Sequence, residues 1–256
     1  MTPRFDSLGS RLVSRYLRGS TVYVARPTRS IRSLLLVLVL SVAGNTWAAE
    51  ETEEDSAAGL PDNYAKNYLV ARSTMSPDKN FIVIYPTVDF SESKEAKDFL
   101  VALKPFRILA PLPTKYPYFQ HESHGGIGAD WLNDGSAALI TLESKWGPGD
   151  VFVVEFSGGA VKRITSLLDK VSELLRPKFR AAKPKQEAYN DNYDFIFEQE
   201  EGKACSFEGN RLVKIDTKAT NDPKGMSKHP WRFLVKAEWD IAQAKFTSQK
   251  ITPAGP

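Results

Sequence analysis

Cysteine is almost absent: Cys205 is the only one in 256 residues, so no intrachain disulfide can form. That thiol reads either as a small buried apolar side chain or as a reactive or intermolecular one. Histidine is nearly as scarce, with His121, His124 and His229 the complete set. The chain has no H-E-x-x-H pattern, no evident third ligand for a zinc ion and no G-x-S-x-G nucleophile elbow. The oxygen-bearing residues Asp130, Asn133 and Asp134 before Gly135 miss the offsets of a calcium loop and read as a plain turn. No apolar run approaches the ~20 residues that span a bilayer. These absences leave no assigned catalytic residue, no metal site and no cofactor among the expectations.

What is present begins with a leader. Leu34 to Ala43 is an apolar core whose one polar member is Ser41, preceded by Arg26, Arg29 and Arg32 and followed by Thr46-Trp47-Ala48-Ala49. That order of cationic, apolar and small-residue stretches is the pattern of a secretory signal. Residues 1–48 are therefore expected to be a targeting segment, and the chain a periplasmic or secreted protein. The alternative is an organellar protein with a bipartite segment, because the residues up to Ser33 are rich in Arg and Ser with only Asp6 acidic.

Setting the leader aside changes the charge. The 34 basic and 31 acidic residues fall to 27 and 30 once the seven arginines and one aspartate ahead of Ala49 are removed, so +3 becomes −3. A nucleic-acid partner loses its electrostatic warrant. Partners are expected among envelope or extracellular proteins or carbohydrates, with no stable membrane insertion after signal cleavage; the sequence leaves the oligomeric state open.

Residues 49–62 are acidic and small, which reads as a disordered lead-in. Order is expected from about residue 63 to 247, followed by a loose polar tail over 248–256. Within that span short apolar runs alternate with turns. Tyr68-Leu69-Val70-Ala71 and Phe81-Ile82-Val83-Ile84-Tyr85 flank Ser76-Pro77-Asp78-Lys79-Asn80. Ala137 to Leu142 and Val151 to Phe156 flank Glu143 to Asp150, whose Gly147-Pro148-Gly149 core is expected to supply the backbone angles of the hairpin connection. Val161 to Ile164 would add a fourth strand. Trp231, Phe233, Val235, Ala237, Trp239 and Ile241 form the clearest period-two pattern, expected to bury one face and solvate the other.

One helix is expected near 166–180. Leu167, Leu168, Val171, Leu174, Leu175 and Phe179 share a face, Ser166 is a candidate N-cap with Asp169 three residues on, and Pro177 is expected to kink or end it. The fold expected is mainly β, an antiparallel sandwich or partial-propeller-like set of sheets, with this amphipathic helix packed on a face.

Ser73 to Tyr85 aligns without gaps on Ala129 to Thr141, with Met75 opposite Trp131 and Asp78 opposite Asp134. The turns Ser76-Pro77-Asp78 and Asp134-Gly135 resemble the blade signature of TolB-type β-propellers, with Lys79 in place of the glycine and Leu132-Asn133 in place of Ser-Pro. The resemblance implies blade-like antiparallel sheets used for protein contacts. A closed propeller takes four or more blades, and the chain beyond the leader has length for three.

Candidate site residues follow from loops and aromatics. His121, Glu122 and His124 place two imidazoles and a carboxylate close together, which is the basis for an alternative reading as a metal-dependent or other hydrolase. Trp146, Trp131 and Tyr118 belong to an aromatic inventory suited to a sugar or peptide groove, Trp146 being the one expected at an exposed hairpin tip. The reading carried forward is an exported non-catalytic ligand-binding or protein-interaction module using His121, His124, Trp146, Trp131 and Tyr118. A structural envelope component is a further alternative.

Overall fold

Runs such as Phe81-Ile82-Val83-Ile84-Tyr85 are apolar on consecutive residues, and a strand of that kind needs cover on both faces. The computed structural model, which describes residues 55–119, 124–185, 194–198 and 202–255, shows what supplies it. Residues 1–48, expected to be a targeting segment, and residues 49–54 of the expected lead-in lie outside the described residues.

Three antiparallel sheets follow one another along the chain. The first comprises β1 (Tyr68–Ala71), β2 (Phe81–Pro86), β3 (Phe99–Leu103) and β4 (Phe106–Pro111), in that order. The second comprises β5 (Gly126–Trp131), β6 (Ala137–Ser144), β7 (Gly147–Ser157) and β8 (Ala160–Ser166), also in chain order. In the third, β10 (Cys205–Glu208), β11 (Leu212–Thr220), β12 (Arg232–Asp240) and β13 (Lys245–Pro253) are successive neighbours, and β9 (Ile196–Glu198) also pairs with β11. The protein is mainly β, as the strand and turn signals lead one to expect.

The second sheet is the middle layer. Ala138, Ile140, Phe152 and Val154 pack with Ala71, Val83, Tyr85 and Leu100 of the first sheet. Their strand neighbours Leu139, Val151 and Val153 point the other way, into a core with Val213, Ile215, Val235, Ala237 and Trp239 of the third. Both faces are dry, so both strands read as unbroken apolar runs.

The outer faces are finished in two different ways. The far side of the first sheet, with Tyr68, Val70, Ile82, Ile84 and Val101, is covered by a small cluster including Leu60, Tyr64 and Phe90. These come from the entry segment with α1 (Asp62–Ala65) and from α2 (Val88–Ser91). The far side of the third sheet carries Lys214, Asp216, Lys236 and Glu238, with Lys236 paired to Asp216 at 3.2 Å, and it faces water. An apolar cap at one end and a charged face at the other terminate the stack without a further sheet.

The expected helix is α3 (Leu167–Ala182), between β8 and the third sheet. The Ser166 side chain accepts from the Asp169 backbone N–H at 3.2 Å, closing the N-terminus. Leu167, Leu168, Val171, Leu175 and Phe179 are buried against Val151 and Val153. Pro177 does not end the helix: it lies on the exposed side, where water solvates the carbonyl it frees, and buried Phe179 holds the last turn.

The aligned turns share their geometry. Ser76 N–H donates to the Phe81 carbonyl at 2.9 Å and Leu132 N–H to Ala137 at 3.0 Å, the same offset in each copy. Asp78 accepts from Asn80 N–H at 3.1 Å, and Asp134 from Ser136 N–H at 2.9 Å. Lys79 and Gly135, which align, both adopt positive φ, 58° and 68°. A lysine thus occupies a left-handed position that glycine fills without strain in the second copy.

Three expectations need revision. The β6–β7 connection is Lys145-Trp146, because Ser144 pairs with Gly147, and Gly147-Pro148-Gly149 opens β7 at a bulge. Ordered structure reaches back to Asp55, which accepts from Tyr85 Oη at 2.9 Å and Arg72 N–H at 3.0 Å, while Ser56 bridges Val70. At the other end, residues 245–253 are not a loose tail. They form β13 along β12, anchored by Phe246 against Trp239 at 5.1 Å and by Ile251 on the core.

Candidate functional site

The second sheet has a bare place. On its third-sheet side Gly126, Gly128 and Asp130 of β5 lie opposite Glu143, Thr141 and Leu139 of β6. Two of those three β5 positions lack side chains, and a Cβ built on Gly128 would meet nothing within 4 Å. The result is an open cleft of about 370 Å³, bounded by Ser73 on one side and by Lys203, Ala204 and Cys205 on the other, with Leu139 and Val151 in its lining.

Charge is concentrated at its rim. Lys203 Nζ donates to both Asp130 oxygens, at 2.6 and 2.7 Å, tying the approach to β10 to β5. Glu143, above Gly126, has its carboxyl raised by partial desolvation. Cys205 is 4% exposed, and burial pushes its thiol up to about 12. A thiol so protonated at neutral pH is a poor nucleophile, which matches the expectation of a buried apolar side chain.

β5 is also an edge strand. Antiparallel pairing alternates, and Leu132 N–H bonds across to Ala137, which places Gly128 and Asp130 among the residues bonded to β6. Ile127 and Ala129 then turn their backbone groups outward. Ser73 Oγ takes the Ile127 carbonyl. The cleft therefore combines an apolar floor, a charged rim and a strip of sheet edge.

The site residues expected from the sequence are dispersed. His121 and Glu122 lie outside the described residues. His124 is exposed at φ 65° in the turn before β5, two residues from Gly126. Trp131 donates its indole N–H to the Thr74 carbonyl at 3.0 Å and stacks on Phe156 at 5.3 Å. Tyr118 packs edge-on to Tyr85 at 4.8 Å. Both therefore bind the first two sheets together. Trp146 sits at the β6–β7 tip with the Lys145 ammonium 4.9 Å from its ring centre. Among the described residues, no three His, Cys, Asp or Glu side chains are grouped to hold a metal ion, and no aromatic side chain lines the cleft.

Sequence reasoning did not single out Gly126 and Gly128, which the structure places in β5. It missed Ser73, Lys203 and the position of Cys205. The two glycines in a strand interior were the available signal, since such glycines mark close approaches or vacant faces.

Comparison of the chain with protein-family models, with curated proteins and with solved structures finds no match. Its physical features alone must carry a functional reading.

Outside the cleft, Asp150 on β7 is raised to about 6 by burial, reinforced by the negative charge of Asp169. A raised folded-state value means that the fold favours the protonated acid. The destabilisation is thus fully present above about pH 6 and disappears below the ordinary aspartate range. Asp150→Asn is expected to raise stability at pH 7.5 by about 1–2 kcal/mol, allowing for residual solvation, with no gain at pH 3.5. Thermal melts at the two pH values check this; an equal change at both would refute the assignment.

Proposed function

We propose that this chain is an exported binding module, and that the cleft along β5 receives an extended segment of another polypeptide. The observation that carries the reading is the vacant face over Gly128 beside the outward Ala129 backbone and Ile127 N–H, the Ile127 carbonyl being held by Ser73. An added strand bonds to such an edge through its main chain and places alternate side chains into adjoining pockets. The Asp130–Lys203 pair provides polar contacts at the rim. Stacking on aromatics, the usual way to hold a sugar ring, has no counterpart among the described residues of the lining.

Gly128 supplies the test, because its φ lies outside the left-handed region and a Cβ there meets nothing within 4 Å. Peptides selected from a random extended-peptide library on the wild-type chain are expected to bind Gly128→Leu at least tenfold more weakly, about 1.4 kcal/mol, with the melting temperature nearly unchanged. His121→Ala with His124→Ala is expected to leave that affinity intact. Peptides that bind Gly128→Leu as well as wild type would remove the cleft from the reading. Loss of binding in the histidine variant together with zinc uptake by wild type would favour the hydrolase alternative.

A further inference from the structure

The connection from β11 to β12 is shaped from within. Asn221 accepts from Trp231 N–H at 2.9 Å through its side-chain oxygen and donates to the Lys185 carbonyl at 3.1 Å. Asp222, 1% exposed, accepts from the backbone N–H groups of Met226 at 3.0 Å and Ser227 at 2.8 Å. A buried carboxylate thus fixes a loop whose tip, Met226, is 69% exposed. Lys224, Lys228 and His229 flank that tip and are exposed as well.

The same contacts set the loop beside the end of α3. Trp231 lies edge-on to Phe179, with ring centres 5.0 Å apart, and the Asn221 bond reaches Lys185. Arg176, Lys178, Arg180, Lys183 and Lys185 are all exposed there. None of those five, nor Lys228, pairs with an acidic side chain among the described residues. The Trp231–Phe179 contact and the Asn221–Lys185 bond thus make the exposed cations at the end of α3 neighbours of the loop that presents Met226.

We propose that this end docks reversibly on an anionic lipid surface, with Met226 entering the boundary between headgroups and acyl chains and the surrounding lysines and arginines held by lipid charge. A lone apolar tip ringed by cations suits a fluid charged surface. A protein interface draws on a contiguous aromatic or apolar centre, and here Phe179, Phe195, Trp231 and Phe233 are packed on one another. The surface is separate from the β5 cleft and does not depend on the peptide reading.

The test places an environment-sensitive dye on Met226→Cys in the full chain, where Cys205 is too buried to compete for label. A dye at the tip reports that loop alone, whatever the apolar leader contributes. Vesicles of one part phosphatidylglycerol to two parts phosphatidylcholine are expected to shift its emission to the blue, and pure phosphatidylcholine vesicles to leave it unchanged. Reversing Lys183 and Lys185 to glutamate is expected to weaken the response at least about tenfold at an unchanged melting temperature. No shift, an equal shift on neutral vesicles, or indifference to the charge reversal would overturn the proposal. An equal response to soluble polyglutamate would overturn it in favour of an acidic protein partner.

Discussion

Arg163→Leu is expected to lower the unfolding free energy by about 3–5 kcal/mol. Glu155 on β7 is only 6% exposed, and its carboxylate accepts from the Arg163 guanidinium on the neighbouring strand β8. The same guanidinium donates to the Ile241 carbonyl in the turn after β12. One side chain thus neutralises a buried charge and ties the second sheet to the third. Its removal leaves Glu155 with Lys162, 3.4 Å away and more than half exposed, as its remaining cation. That weaker partner places the expected loss toward the lower end of the range. Urea unfolding of the single variant and of Arg163→Leu with Glu155→Leu checks the cause. The double variant is expected to recover most of the loss, because replacing both members of a buried pair removes the orphaned charge. A double variant as unstable as the single one would show that the Ile241 bond or the packing of the arginine stem dominates.

Trp231→Ala is expected to cost a similar amount, about 3–5 kcal/mol, for a different reason. Trp231 is 6% exposed and stands among Phe179, Phe195 and Phe233 at ring distances of 5.0, 5.2 and 4.8 Å. The cavity left by the indole would lie where the last turn of α3 meets the third sheet. Neither element can collapse into it, since each is already held by its own backbone hydrogen bonds. Trp231→Phe is expected to lose much less, because an aromatic ring remains. Chemical denaturation gives both values, and hydrogen exchange should show the amides near Phe179 losing protection first in the alanine variant. A loss below about 1 kcal/mol for Trp231→Ala would mean that this cluster is more plastic than a packed core.

How far the fold was legible depended on how each strand is covered. The β12 pattern alternates because the third sheet has a wet outer face, so period two appeared directly in the sequence. The β2, β6 and β7 runs are buried on both faces and carry no alternation; length and flanking turns identified them as strands. β13 was hidden for the opposite reason. Lys245, Thr247, Ser248, Gln249 and Lys250 are exposed, and only Phe246 and Ile251 reach the core, so an edge strand resembled a polar tail. The β6–β7 hairpin was misplaced because Gly147-Pro148-Gly149 is bulge chemistry here, while Lys145-Trp146 makes the turn with little signature of its own.

The cleft was harder to read. Gly128 draws attention in a sequence, yet its importance lies in what is missing above it, and that depends on how the third sheet approaches the second. Lys203 reaches Asp130 across 73 positions of chain, a distance at which no local pattern speaks.

By itself the sequence determined the mainly β character, the helix after β8 with its Ser166 cap, and the repeated aspartate turns. Each follows from short-range rules of periodicity, capping and turn geometry that act within a few residues. Only the tertiary structure decided that the second sheet is the middle layer, that Trp131 and Tyr118 pack partly buried against the core of the first two sheets, that Cys205 is buried and that a vacant place lies over Gly128. Those outcomes depend on which faces meet, and burial is a property of the meeting faces, not of either strand alone.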